Sequence, residues 1–368
     1  MTKKILPLMI GAALVAGMSN ATADVTAMGH IDTSFVSSKD DNRSGDTLNN
    51  LECTTCSFGF KGSEDLGNGL SAIFKLDFQY NTTERDKGLL DRDQWLGLNS
   101  NWGKLRIGTI STSYKSHGAM IDPVYRTVVQ GRDWGFQSGL HTGAGDTEAQ
   151  GRATNTIRYD SPTFAGITAT AHYTVQSEDD NNSSANSPWG IGAMWKAGGF
   201  LVFADYITSD SDENAGNDDA WKVGGRWGFS KFAIFGQYEG DGGAISNRFT
   251  RVAGTGDDAA TGGDTSTIRG VGDSSDVWFV GGTAGFGNNL IYAAYGQGGD
   301  KKGGIVTESV DPALVGDGVD TRYDSWEIVG IHSLSKRTKA YAGYGVQDFG
   351  RGSGDKSSAF ALGMKHTF

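Results

Sequence analysis

The chain has 368 residues, of which 56 are glycine and 5 are proline, and its formal net charge is −11. That length suits two ordinary domains or one large β-barrel, and the glycine and proline content is below the level typical of disordered chains. The negative charge argues against nucleic acid as a partner, because phosphates need a basic binding face.

The first 23 residues have the pattern of a secretory signal peptide. The segment begins with two lysines, continues with an apolar run from Ile5 to Val15, and ends in the small residues Ala21-Thr22-Ala23. The apolar run is shorter than the roughly 20 residues that a membrane-spanning helix needs. We therefore expect residues 1–23 to be cleaved and residues 24–368 to form the exported mature chain.

After the signal, the chain consists of short segments in which apolar and polar residues alternate, a pattern typical of β-strands. In the clearest segment, Ser71–Tyr80, Phe74 and Leu76 share one face while Lys75 and Asp77 share the other. Sixteen such segments are present, at Val25–Val36, Phe58–Gly62, Ser71–Tyr80, Trp95–Leu98, Lys104–Ile107, Asn155–Asp160, Gly166–Val175, Trp189–Lys196, Leu201–Thr208, Ala220–Phe229, Phe232–Tyr238, Val277–Phe286, Leu290–Gln297, Asp324–His332, Lys339–Gln347 and Ser358–Phe368.

The connections between these segments alternate between short turns and long, polar, acidic loops. Gly67–Gly69 and Gly287–Asn289 are examples of the short kind, and Lys39–Leu51 and Glu239–Asp276 of the long kind. An even number of strands, with short turns at one rim and long loops at the other, is typical of transmembrane barrels. A soluble β-sandwich would have long loops at both ends. The pattern predicts an all-β fold, a sixteen-stranded antiparallel transmembrane β-barrel.

One connection, residues 109–152, differs from all the others. It keeps neither a period of two nor one of 3.6, and it mixes glycines, aromatic residues and both signs of charge. A loop of this length inside a compact domain is uncommon unless it has a function. We interpret it as a constriction loop that folds into the barrel and narrows a water-filled channel; a surface loop or a small inserted subdomain is the alternative.

Several segments resemble Gram-negative general-diffusion porins of the neisserial and β-proteobacterial type. They are Phe58–Tyr80, Trp95–Thr109, Asn155–Gly166, Ser335–Tyr344 and the closing LGMKHTF. The resemblance implies a sixteen-stranded outer-membrane barrel, a homotrimer, and a third external loop that folds inward, which by order is residues 109–152. The chain departs from the family in its cysteine pair, its acidic outer loops and Thr109, where many relatives carry arginine.

Strand alternation also assigns charged residues to the two sides of the wall. Because apolar residues face lipid, the cations of the strands beside the loop should face the lumen. These inward cations are Lys61, Lys75, Arg92, Lys104, Arg106 and Arg158. Opposite them we expect the loop acids Asp122, Asp133, Asp146 and Glu148. Such an arrangement would set up a transverse field that selects ions; alternatively, the charges pair and merely hold the loop in place.

Two cysteines, Cys53 and Cys56, form a C-x-x-C pair. In an exported chain a disulfide is the expected state of such a pair. No further metal ligands are near them, and the six histidines show no ligand spacing. We therefore expect a disulfide and no metal site.

These observations favour a passive channel for small hydrophilic solutes and ions in the outer membrane, surrounded by lipid and lipopolysaccharide. A solute-selective porin with a weak binding site at the constriction is one alternative, and an outer-membrane adhesin or a barrel-borne enzyme is another. The sequence has no nucleophile elbow, P-loop or paired acid–base motif. No loop is long enough for an external adhesive domain. We expect neither enzymatic activity nor a cofactor.

Overall fold

The structure, a computed structural model, describes residues 23–40, 47–84, 88–137, 151–175, 188–208, 219–241, 248–249, 267–271, 276–299, 304–306, 322–349 and 355–368. The predicted signal peptide, apart from Ala23, lies outside the described residues. The described strands are β1 (Ala23–Asp40), β2 (Thr47–Cys53), β3 (Ser57–Gly67), β4 (Leu70–Gln79), β5 (Leu90–Ser100), β6 (Gly103–Ser111), β7 (Arg152–Asp160), β8 (Ile167–Thr174), β9 (Trp189–Ala197), β10 (Phe200–Thr208), β11 (Asp219–Phe229), β12 (Phe232–Asp241), β13 (Arg248–Phe249), β14 (Thr267–Val271), β15 (Val277–Phe286), β16 (Asn289–Gly298), β17 (Gly304–Val306), β18 (Tyr323–Ser333), β19 (Thr338–Phe349) and β20 (Asp355–Thr367). The described helices are α1 (Ser113–Ala119) and a 3-10 helix (Gly131–Trp134).

Seventeen of these strands form one antiparallel sheet that closes into a barrel. Closure comes from β1, whose second half pairs with β20. On its other side β1 pairs with both β2 and β3, which lie end to end and act as a single wall strand. The wall therefore has sixteen positions, so the predicted strand number is confirmed. A closed wall leaves no unpaired strand edge, as a barrel in lipid requires.

The wall strand made of β2 and β3 is bent where the two segments meet. Cys53 pairs with Thr33 and Ser57 pairs with His30, so this strand has one residue more than its neighbour, which is a β-bulge. A disulfide joins Cys53 to Cys56 across the bulge. The predicted loop Lys39–Leu51 was too long, because polar residues of β1 and β2 continue the hydrogen-bonded ladder beyond the alternating segments.

The outer face of the barrel is apolar. Leu96 and Ile107 are 64% and 56% exposed there. Trp and Tyr rings of neighbouring strands pair on this face, as in Trp221–Tyr238, with ring centroids 5.5 Å apart. Amphipathic rings of this kind are enriched at membrane–water interfaces. Within the described part of the chain, no helix is long and apolar enough to span a bilayer.

The largest buried apolar cluster lies inside the barrel. Six loop residues belong to it: Ile121, Val124, Val128, Val129, Trp134 and Phe136. They pack against inward side chains of later strands, namely Phe203, Phe235, Phe279, Tyr292, Val329, Ile331 and Tyr341. The rule that apolar residues of the wall face lipid was therefore wrong for these residues of β10, β12, β15, β16, β18 and β19. This side of the wall needs apolar side chains because it supports the loop.

Candidate functional site

The connection inside the barrel begins with a short helix. β6 ends at Ser111 and β7 begins at Arg152, so the loop is slightly shorter than the predicted 109–152. Thr112 caps α1, because its hydroxyl accepts a hydrogen bond from the Lys115 backbone N–H at 3.3 Å. The structure describes the loop as far as residue 137, so Asp146 and Glu148 lie outside the described residues.

Buried polar contacts attach α1 to the wall, and we call this group the loop anchor: Tyr114, His117, Asp205, Lys222 and Glu239. The Tyr114 hydroxyl donates to Glu239 Oε2 at 2.8 Å. Lys222 Nζ donates to the Tyr114 carbonyl oxygen and lies 4.0 Å from the centre of its ring. His117 Nδ1 lies 3.0 Å from the Asp205 carboxylate. Charge-assisted bonds in a water-poor setting are stronger than neutral ones, so the anchor fixes α1 against β10, β11 and β12.

Asp122 stabilises a turn of the loop instead of facing the wall cations. Its two carboxylate oxygens accept hydrogen bonds from the backbone N–H groups of Val124 and Gly131, each at 2.9 Å. The side chain is only 9% exposed. The carboxylate of Asp122 is therefore used by the turn of the loop itself. Burial raises the pKa of Asp122 to about 6, although the two backbone hydrogen bonds act in the opposite direction.

Two of the predicted inward cations are paired with acids of the wall itself. Lys75 Nζ lies 3.1 Å from Asp93 Oδ2 and 3.4 Å from Asp77 Oδ2. Arg92 Nε lies 3.5 Å from Asp77 Oδ2, and its Nη1 donates to Gln79 Oε1 at 2.6 Å. These acids, which the sequence analysis did not assign to the site, hold the cations in fixed positions beside the loop.

Arg106 and Arg158 come together on the next part of the wall. They are opposite each other in the ladder between β6 and β7, and both donate to the Asp160 carboxylate. The Arg106 guanidinium also lies 5.2 Å from the centre of the Trp95 ring. One carboxylate shared by two guanidinium groups leaves a net positive charge at this place.

The remaining predicted residues are more isolated. Lys61 is opposite Lys75, and Lys104 is opposite Asp160, in their respective ladders. Neither lysine makes an ion pair within the described ranges. Asp133 contacts its own helical turn, where Arg132 Nε lies 3.6 Å away and Gln130 Nε2 lies 3.2 Å away.

The sequence analysis named the acids of the loop and missed its cations. Arg126 of the loop lies 4.0 Å from Asp77 of the wall, and Arg152, at the end of the loop, donates to Asp93 at 2.9 Å. Lys115 is 2% exposed, and burial, followed by the nearby arginines, holds its pKa well below the usual value. The cations were visible in the sequence, since residues 109–152 contain four cations and four acids.

A closed barrel with an apolar outer face and a charged, loop-narrowed interior has the architecture of a membrane channel. A family model described as Gram-negative porin matches residues 9–352, and the chain belongs to that family. The family places the protein in the Gram-negative outer membrane, with its strands crossing the bilayer many times.

Sequence relatives and solved structures agree with this assignment. The major outer membrane protein P.IB of Neisseria meningitidis serogroup A is 32% identical over 209 residues, covering 55% of this chain and 58% of the relative. The protein of the same name from Neisseria gonorrhoeae is 28% identical over 217 residues, covering 56% of each. The chain thus spans little more than half the length of the curated relatives it matches.

Three solved porin structures share the fold. The anion-selective porin from Comamonas acidovorans matches with a TM-score of 0.69 and 18% identity, over 94% of this chain and 100% of the other. Salmonella typhi OmpF in complex with daunomycin matches with a TM-score of 0.64 and 15% identity, over 94% and 97%. The trimer form of Vibrio cholerae OmpT matches with a TM-score of 0.60 and 14% identity, over 94% and 100%.

Proposed function

We propose that the protein is a passive outer-membrane channel for small hydrophilic solutes and ions, and that it prefers anions. The observation that carries the proposal is the excess of cations among the described residues where the loop meets the wall. The cations at this constriction are Lys75, Arg92, Arg106, Arg126, Arg132, Arg152 and Arg158, and the acids are Asp77, Asp93, Asp122, Asp133 and Asp160.

The pairing pattern favours a positive potential. Asp77, Asp93 and Asp160 are each shared by more than one cation, so they cannot neutralise all of their partners. Two unit charges about 4 Å apart interact by about 4 kcal/mol at an effective dielectric near 20. A narrow passage with low-dielectric walls focuses such a field on the passing ion. Charged side chains at a constriction select ions by sign.

A similar solved structure is described as anion-selective, and this agrees with the sign that the charges favour. At 18% identity, however, that likeness concerns the fold, and the charge distribution supports the preference independently. We also propose a homotrimer surrounded by lipid and lipopolysaccharide, since one similar porin structure is a trimer form. Native mass spectrometry in mild detergent should find trimers; monomers alone would contradict this assembly.

The proposal is tested by reversal potentials in planar bilayers under a potassium chloride gradient. An anion preference gives a reversal potential whose sign is that of the chloride equilibrium potential. The double variant Arg126→Gln, Arg132→Gln should move the reversal potential toward zero, whereas Lys231→Gln, in a turn away from the loop, should not. A wild-type channel that prefers potassium would overturn the proposed sign.

A further inference from the structure

A separate cavity lies between the tip of the loop and the last strands of the barrel, with a volume of about 340 Å³. The loop forms one side through residues 122–125 and Thr127. β18, β19, β20 and the short turn between β18 and β19 form the other side. This turn belongs to the short-turn rim, so the cavity opens on the side where solutes would leave the constriction.

Four cations line this cavity: Lys336, Arg337, Lys339 and Lys365. Lys339 and Lys365 are directly opposite each other in the ladder between β19 and β20, an unfavourable arrangement of like charges. On its other side Lys365 is opposite Asp32 of β1, whereas Lys339 has no such carboxylate opposite it in its two ladders. No carboxylate of the described ranges makes an ion pair with any of the four.

Two charged lining groups already have hydrogen-bond partners. Lys365 Nζ is held by the carbonyl oxygens of Tyr125 and Arg126, at 2.8 and 3.1 Å. Asp122 is the lining acid, but its carboxylate is occupied by two backbone N–H groups of the loop. Lys336, Arg337 and Lys339 therefore remain available to an anion from the channel.

Apart from the hydroxyl-bearing Thr127 and Thr367, the rest of the lining is apolar or aromatic: Pro123, Val124, Tyr125, Ile331 and Tyr341. An inorganic ion gains little from such surfaces, whereas a ligand with an apolar body and an anionic group contacts both parts. Small-molecule sites are commonly concave, mostly apolar and about 300–1,000 Å³ in volume, with a few polar groups that fix orientation. The cavity fits a small amphipathic anion.

We propose that this cavity binds carboxylates with an aromatic or aliphatic body after they pass the constriction. The inference rests on the proposed channel function and narrows its solutes to a chemical class. Binding in the cavity would make the channel selective for such anions, whereas smaller ions would pass without binding there.

The test is calorimetric titration of the folded, detergent-solubilised protein with benzoate, acetate and benzyl alcohol. Benzoate should bind. Acetate lacks the apolar body and benzyl alcohol lacks the anionic group, so both should bind much more weakly. Lys339→Gln should weaken benzoate binding by about tenfold, the order expected for one lost charge-assisted hydrogen bond. Lys231→Gln removes a lysine from another turn of the same rim and should bind benzoate like the wild type.

Equal affinity for benzoate and acetate, or unchanged benzoate binding by both Lys339→Gln and Lys365→Gln, would overturn the proposal. Calorimetry measures binding without requiring conduction, so the proposed cavity ligand and the proposed ion preference are tested independently. An anion-preferring channel that does not bind benzoate contradicts the cavity alone. A channel that binds benzoate but prefers potassium contradicts the proposed ion preference alone.

Discussion

Replacing Tyr114 with phenylalanine removes one hydroxyl from the loop anchor, and the change in loop attachment can be estimated from the structure. Tyr114 is fully buried, and its hydroxyl donates to Glu239 at 2.8 Å. A hydrogen bond to a charged group contributes about 1.5–3 kcal/mol. Gln237 also donates to Glu239, so the carboxylate keeps a partner and the lower value applies. About 1.5 kcal/mol raises the population of the detached loop roughly tenfold.

Single-channel recording detects this change as more frequent excursions to a higher conductance. The hydrogen-bonded ladder of the wall is not altered, so the heat-induced mobility shift of the barrel on a gel should be the same as for the wild type. Tyr206→Phe is a matched control, because it removes a hydroxyl that donates to Asp219 Oδ2 at 2.9 Å on the outer face. If folded Tyr114→Phe and wild-type channels have the same open-channel noise, the anchor does not hold the loop.

Three further predictions concern the constriction and the bulge. Arg106→Glu should shift the reversal potential toward cations at low salt, where screening is weak, because it reverses a charge beside Asp160; an unchanged potential would place selectivity elsewhere. The pKa of Asp122 is raised to about 6 in the folded loop. The folded loop, in which Asp122 is buried, therefore gains stability as the pH falls from about 6 toward the ordinary pKa of an aspartate side chain. Open-channel noise should therefore decrease over that range in the wild type and not in Asp122→Asn; the same pH response in both would refute this. The double variant Cys53→Ser, Cys56→Ser should fold and conduct like the wild type, and loss of conductance in folded protein would show that the disulfide is needed.

The architecture was predictable because lipid imposes a simple rule on the outer face. Leu96 and Ile107 must be apolar wherever they meet hydrocarbon, so alternation located all sixteen wall strands. The same rule fails for the inner face of β10. There Phe203 points inward beside Asp205, since one supports the apolar side of the loop and the other binds His117. Such a strand has apolar residues on both faces, so alternation alone does not reveal what its inner face contacts.

The constriction was only partly predictable, because charge alone does not say which partner a side chain has. The inward direction of Arg106 and Arg158 follows from strand alternation, and the structure joins them through Asp160. The partners of Asp122 are backbone N–H groups created by the turn of the loop, and no sequence period encodes such a turn. The contacts at the constriction are formed by loop segments that have no sequence periodicity, so strand alternation does not predict them.

The apolar contacts of the loop also determine when the channel acquires its final width. Trp134 and Phe136 belong to the middle of the chain, but Phe279, Tyr292 and Val329, which share their cluster, come much later in it. Contacts between residues that are distant in the sequence form late, because the intervening chain must first be ordered. The surface that supports the loop is therefore complete only when the last strands are in place, and a barrel truncated before β15 would keep the contacts with β10 to β12 but lose the rest of this cluster.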